Sequence, residues 1–280
     1  MSEAFRIRKN SIYSTLSITS RLIANVFVFW IMARYYGPEI FGQFASAQVL
    51  ATNFILFADF GFDILLTTEI AKNKKDARYL FQQFFSLKIV TCFVAMLFMW
   101  VLSVYGNFSL ETGILIFIFS FYTIITSLTN FLCSLYKGFE QLEYEAKISI
   151  VVNVGLLLVT IPMIIFKVNI LWIASAFVLT RIIGFIVGIH DSYRLIPRSS
   201  YKFIFKGFRE VKSKVFIFGL FLIFNNLFFQ LDTILLSIWK GDREVGVYQA
   251  VFKLIMLPLV IPDILVNTLM PLLSRLNVDN

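Results

Sequence analysis

The feature that most constrains this chain is a succession of apolar runs about 20 residues long, the length an α-helix needs to cross the hydrocarbon core of a bilayer. The runs span Ser14 to Tyr35, Phe44 to Leu66, Phe84 to Tyr105, Ile114 to Tyr136, Ile148 to Phe166, Ile170 to Ile189, Val215 to Trp239 and Val247 to Leu273. They are too long and too uniformly apolar for the alternating strands of a membrane β-barrel, so they predict an all-α bundle of about eight spans. Composition agrees: 59% of the 280 residues are hydrophobic, 15% are charged, and mean hydropathy is +0.81. A water-soluble domain could not hide that much apolar surface.

The formal charge of +8 would fit a nucleic-acid ligand if the cations clustered in one patch. Instead they fall between the apolar runs, on alternate connections. Of the 25 Lys and Arg residues, 17 lie in the N-terminal tail, the second-to-third, fourth-to-fifth and sixth-to-seventh connections and the C-terminal tail. Four lie on the other side (Arg34, Lys167, Lys240, Arg243) and four within spans (Arg21, Lys88, Arg181, Lys253). The positive-inside bias therefore predicts both termini in the cytoplasm. The long basic connection 190–214 interleaves Tyr201, Phe203, Phe205 and Phe208 with its charges, as an interfacial segment would. The N-terminal stretch shows no short apolar segment with a small-residue cleavage site, so the first run is expected to be a retained span and not a cleaved signal. Cys92 and Cys133 each fall inside a run with no metal-ligand spacing, and no cofactor or metal is expected.

A shift of 204 residues aligns Gly37, Gly42, Leu50, Asp59 and Leu65 with Gly241, Gly246, Leu254, Asp263 and Leu269. The chain then divides into a first six-helix lobe (1–189), the basic connection (190–214) and the first two spans of a second lobe (215–280), as in proteins built from repeats. On that reading the second lobe lacks four helices.

The spans also carry polar residues. Arg21 shares one helical face with Ser14, Ser17 and Asn25, at spacings of three and four. Arg181 lies near the middle of its span, too deep to reach either interface easily. Arg21, Asn25, Arg181 and Lys253 are the candidates for contact with an anionic or sugar ligand, Arg21 having an ion pair with Asp59 or Asp63 as the alternative. Asp59, Asp63, Asp232 and Asp263 are candidates for ion pairs or for holding a coupling proton or sodium ion. Lys88, about one turn inside its span, is expected to snorkel to the cytoplasmic interface. Polar stripes in the second span (Gln48, Thr52, Asp59, Asp63), the fourth (Ser120, Thr123, Ser127, Asn130, Ser134) and the seventh (Asn226, Gln230, Thr233, Ser237) either line a path or bond neighbouring helices. The Gly184/Gly188 pair permits close helix contact, and Pro162, Pro258 and Pro262 are possible kinks.

The segment from Ala33 to Ala45 (ARYYGPEIFGQFA) resembles the first periplasmic turn of polysaccharide transporter family flippases, within the multidrug/oligosaccharidyl-lipid/polysaccharide exporter superfamily. The segments 58–62 (ADFGF), 136–140 (YKGFE), 232–237 (DTILLS), 246–248 (GVY), Ile261-Pro262 and 271–274 (PLLS) follow in the order expected for it. The resemblance implies a bacterial inner-membrane flippase for an undecaprenyl-diphosphate-linked oligosaccharide, such as an O-antigen or capsule repeat unit, working by alternating access around a cationic cavity. It implies membrane lipids and other polysaccharide assembly proteins as partners, with no nucleic acid and no catalytic residue. An inactive truncated remnant and a drug or ion exporter of the same superfamily stay open as alternatives. A glycan polymerase would need a sizeable periplasmic loop with catalytic groups, and the largest loop is cytoplasmic.

Overall fold

The computed structural model describes residues 3–106, 108–202, 219–220, 224, 228, 231–255 and 258, and they are helical, without strands, apart from short connections. The helices are α1 (Glu3–Asp59), α2 (Phe62–Lys72), α3 (Ala77–Tyr105), α4 (Leu110–Gly138), α5 (Leu142–Ile165), α6 (Ile170–Ser192), α7 (231–240) and α8 (Asp242–Ile255), with a 3₁₀ turn at Arg198–Tyr201. Five of them, α1 and α3–α6, are long and apolar enough to cross a membrane. The expected seventh and eighth spans are described only in part, and Asp263, Asn226, Gln230, Pro262 and residues 203–214 of the 190–214 connection lie outside the described residues.

The first two expected spans form one element, α1, broken at a single residue. Gly37 has φ 78° and ψ 173°, a conformation open to glycine, and Pro38 then restarts the helix with its φ already set. In a straight helix Phe29 and Phe44 would lie about 22 Å apart along the axis. Their ring centroids are 5.8 Å apart, and those of Phe29 and Phe41 are 5.9 Å apart, so the two halves fold back on each other. Gly241, 204 residues later, repeats the break between α7 and α8 with φ 89°.

The second expected span is itself interrupted. Phe60 and Gly61 both have positive φ (46° and 84°), so α1 stops at Asp59 and α2 continues to Lys72, beyond the expected end at Leu66. A break inside a membrane frees backbone groups that must find partners within the protein. Here the Thr91 hydroxyl donates to the Ala58 carbonyl at 2.6 Å, and the Asp63 amide donates to the Asp59 carboxylate at 3.1 Å.

Contacts define two faces. On the basic face, Lys9 pairs with Glu143, Lys74 with Glu140 at 3.5 Å and Lys147 with Asp191 at 2.7 Å, which gathers the start of α1, the α2–α3 and α4–α5 turns and the end of α6. On the opposite face, the Tyr36 hydroxyl donates to the Val168 carbonyl, and the Asp242 carboxylate accepts from Ser109 and Thr112 at 3.2 and 3.0 Å. The Gly37 turn, the α3–α4 and α5–α6 connections and the start of α8 therefore meet there.

Between the faces, Phe44 packs edge-on against Phe119 and Phe177 in a core shared by α1, α4 and α6. Gly184 and Gly188 allow α6 to press against α5 and α4: a Cβ on Gly184 would overlap the Val152 side chain, and one on Gly188 would stand 3.0 Å from a Leu132 methyl. The α1–α8 contact is closer still. A Cβ on Gly42 would overlap the Asp242 carbonyl and one on Gly246 the Pro38 carbonyl, with each Cβ 3.0 Å from the other glycine's amide nitrogen. Residues 38 and 42 map onto 242 and 246 under the 204-residue shift, so the contact is reciprocal in the manner of a two-fold interface.

Candidate functional site

Within the first six spans, an open cavity of about 390 Å³ runs between α1, α2, α4, α5 and α6. Three cations (Arg21, Lys137, Arg181) and two carboxylates (Asp63, Glu145) line it, with Asn130, Asn153, Ser134, Ser149, Thr67 and Thr68 supplying hydrogen-bonding groups. Lys137 and Glu145 belong to the α4–α5 end, so the cavity extends to the basic face. Arg181, 11 residues along α6 from Ile170, lies about 16 Å from the opposite face at 1.5 Å per residue, near mid-membrane.

Each cation is held differently. Arg181 donates to the Tyr122 hydroxyl at 3.2 Å, with its guanidinium 5.2 Å from that ring's centroid; among the described residues no carboxylate pairs with it. Arg21 is more than one-third exposed, and the described residues contain no ion pair to it. The Asp59 or Asp63 pairing considered for it does not form, because Lys88 takes both. Lys137, which the sequence placed in a connection, is in the last turn of α4 and pairs with Glu145 at 3.1 Å. The cavity thus carries one more cation than carboxylate. It presents planar Arg donors suited to phosphate or carboxylate beside hydroxyls and amides suited to sugar.

Lys88 corrects the sequence reading most sharply. It does not snorkel: it is fully buried, with its ammonium 2.8 Å from Asp59 and 2.9 Å from Asp63. The reason is the α1–α2 break. Asp59 is needed there to accept an amide, and a carboxylate in hydrocarbon needs a cation. Asp63 also faces the cavity, so the cluster forms part of its wall. A helix assumed continuous hides that requirement.

The remaining candidates fall elsewhere. Asn25 is not among the cavity residues; its amide donates to the Arg21 carbonyl at 2.9 Å, one turn back, which is a local bond. Asn153, not anticipated, lines the cavity and donates to Ser20 at 3.3 Å. Asp232 accepts from the Tyr248 hydroxyl and from the Thr233 amide at 2.7 Å, and no cation pairs with it among the described residues. Lys253 lies in a different, mainly apolar cavity between α1 and α8. The α4 stripe divides by depth. Ser120 accepts from Trp100 at 2.9 Å and Thr123 donates to the Ala51 carbonyl at 3.3 Å, binding helices together, whereas Asn130 and Ser134 line the cavity.

Comparison with known proteins adds the following. A family model described as "Polysaccharide biosynthesis protein" matches residues 7–277. No curated protein matches. A solved structure described as "protein A" matches with a TM-score of 0.63 at 14% identity, over 97% of this chain and 65% of its own, a likeness of fold. This chain therefore spans about 65% of that structure's length.

Proposed function

We propose, from the premise that this chain belongs to the polysaccharide biosynthesis protein family, that it moves a lipid-linked oligosaccharide across the bacterial inner membrane. In that reading the basic face is cytoplasmic, and the cargo is an undecaprenyl-diphosphate-linked repeat unit of O-antigen or capsule. The observation that carries it is the cavity of Arg21, Lys137 and Arg181, which extends to the basic face and is walled by spans.

The physical requirement is clear. Moving a diphosphate through hydrocarbon without counter-charge costs far more than thermal energy supplies. A path for it needs fixed cations, and a glycan needs hydrogen-bond partners to replace the water it leaves. Arg21 and Arg181 take the diphosphate and the amide and hydroxyl groups take sugar. Lys137 begins paired with Glu145, and an entering phosphate competes for it. No covalent bond is made or broken, so the protein acts as a carrier and not as an enzyme. Alternating access exchanges this opening for one on the opposite face.

The test is complementation of a flippase-deficient bacterium, reading surface polysaccharide on a gel, with this chain and with a longer protein that contains it. Rescue by either supports the reading, provided that Arg21→Ala abolishes rescue without loss of membrane insertion. Rescue that survives Arg21→Ala removes the cavity from the mechanism.

A further inference from the structure

We propose that Glu145 is the carrier's internal counter-anion: it takes the ligand's place on Lys137 whenever the cavity is empty, so that the protein returns without cargo and runs net transport instead of one-for-one exchange. Resting on the transport reading, this role concerns the half of the cycle in which nothing is carried.

Lys9–Glu143, Lys74–Glu140 and Lys147–Asp191 join elements at the basic face, and none of these residues lines the cavity. Lys137–Glu145 differs, because both partners line it. Lys137 in the last turn of α4 and Glu145 in the first turn of α5 each complement their own helix dipole. That preference accounts for a charge at each helix end. It does not place both charges in the wall of one cavity. The Glu145 side chain is the more enclosed, 17% exposed against 46% for Lys137. The flexible lysine stem can therefore leave for a ligand while the acid keeps its place. The pair is joined by the short turn 139–141, so it re-forms without moving any other helix.

The charges define what the acid does. Asp63 also lines the cavity, but it shares Lys88 with Asp59. With that cluster included, Arg21, Lys88, Lys137 and Arg181 face Asp59, Asp63 and Glu145, one cation in excess. Without Glu145 the excess would be two. In the loaded carrier a diphosphate gives the cavity cations their counter-charge. In the empty carrier Glu145 is what remains for Lys137, since Asp63 is committed to Lys88. Alternating access passes through a state closed on both sides, where little water screens the cavity. An ammonium without counter-charge is costly there. An empty carrier lacking Glu145 is therefore held until a new ligand enters, which is exchange.

The full chain is reconstituted in liposomes with a radiolabelled polyprenyl-diphosphate saccharide in the outer leaflet. A membrane-impermeant glycosidase reads the initial rate at which the label leaves that leaflet. Net movement is measured with no unlabelled saccharide in the inner leaflet, and exchange with the same unlabelled lipid already there. The parent is expected to run both. Glu145→Gln should raise the ratio of exchange to net rate at least about tenfold, because a charge within a span costs more than the free energy equivalent to that factor. Glu145→Asp should stay nearer the parent ratio. Lys137→Gln together with Glu145→Gln removes the cation that needs the acid, so the ratio should return to the parent's although both rates fall. A Glu145 that only braces the α4–α5 turn would slow both modes alike. An unchanged ratio in Glu145→Gln, or a ratio in the double variant as high as in the single one, would overturn the proposal and leave the transport reading standing. No protein-dependent movement by the parent in either mode would overturn both.

Discussion

Lys88 and Arg181 are both cations in the middle of apolar helices, yet their surroundings assign them opposite work. Lys88 touches two carboxylates and no open space, and its partner Asp59 supports the backbone where α1 breaks. Arg181 touches one phenol and faces a cavity. Charge that is saturated by neighbours holds a membrane fold together; charge left with spare hydrogen-bonding capacity beside a void is available to a ligand. Both residues are cations within apolar runs in the sequence, and in the fold it is their partners, not their depth, that separate them.

The comparison breaks first at Lys88. Removing one member of a buried pair leaves an uncompensated charge, at a cost of about 3–5 kcal/mol. Lys88→Met should therefore lower the melting temperature in detergent severely or prevent recovery of folded protein, and adding Asp59→Asn and Asp63→Asn should restore much of the loss. A Lys88→Met protein as stable as its parent would show that the cluster is not structural. The Gly42–Gly246 contact comes next. Gly42→Leu would force its side chain into the Asp242 carbonyl, and overpacking of this kind costs about 1–3 kcal/mol. Thermal unfolding should register that loss, and an unchanged melting curve would mean that α1 and α8 are not in close contact.

Arg181→Gln sharpens the contrast from the other side. It forfeits a cation–π contact and one hydrogen bond, about 1–2 kcal/mol of stability, but should lower polysaccharide export at least tenfold in cells. A large stability loss with normal export would place Arg181 with Lys88. The smallest effect belongs to Lys72 and Glu69, paired at 2.8 Å with Lys72 about two-thirds exposed. Lys72→Ala should shift stability by less than about 1 kcal/mol, and a larger shift would show that this exposed pair contributes to the fold.

How much of this was legible in the sequence depended on whether a feature was local. The α1, α3, α4, α5 and α6 helices follow from length and hydropathy, since a bilayer leaves the backbone few alternatives. The Gly37-Pro38 break was readable as a turn because both residues act through their own φ. The break at Phe60-Gly61 was not, because a lone glycine in an apolar run is compatible with a continuous helix, and the Thr91 and Lys88 groups that make the break tolerable come from another element. The role of Lys88 is hidden for that reason: its depth from the interface suggests snorkelling, and only the fold brings Asp59 and Asp63 to it. Arg21 and Arg181 stand out in the sequence because a charge in a span is conspicuous, and the fold brings both to one cavity. Lys137 and Asn153 escaped notice, one at the edge of a span and the other a lone amide among apolar residues. Lys253 was conspicuous for the same reason as Arg181, but its separate cavity needed the α1–α8 contact to appear.

The claim at the centre of this account is that the Arg21 and Arg181 cavity carries an anionic lipid-linked sugar through the membrane. Its most direct test is transbilayer movement of a labelled polyprenyl-diphosphate saccharide in liposomes containing the protein. The account predicts that movement requires the protein and is lost in Arg21→Ala, with the melting temperature unchanged. Equal movement by the Arg21→Ala protein, or movement no faster than in protein-free liposomes, would contradict it.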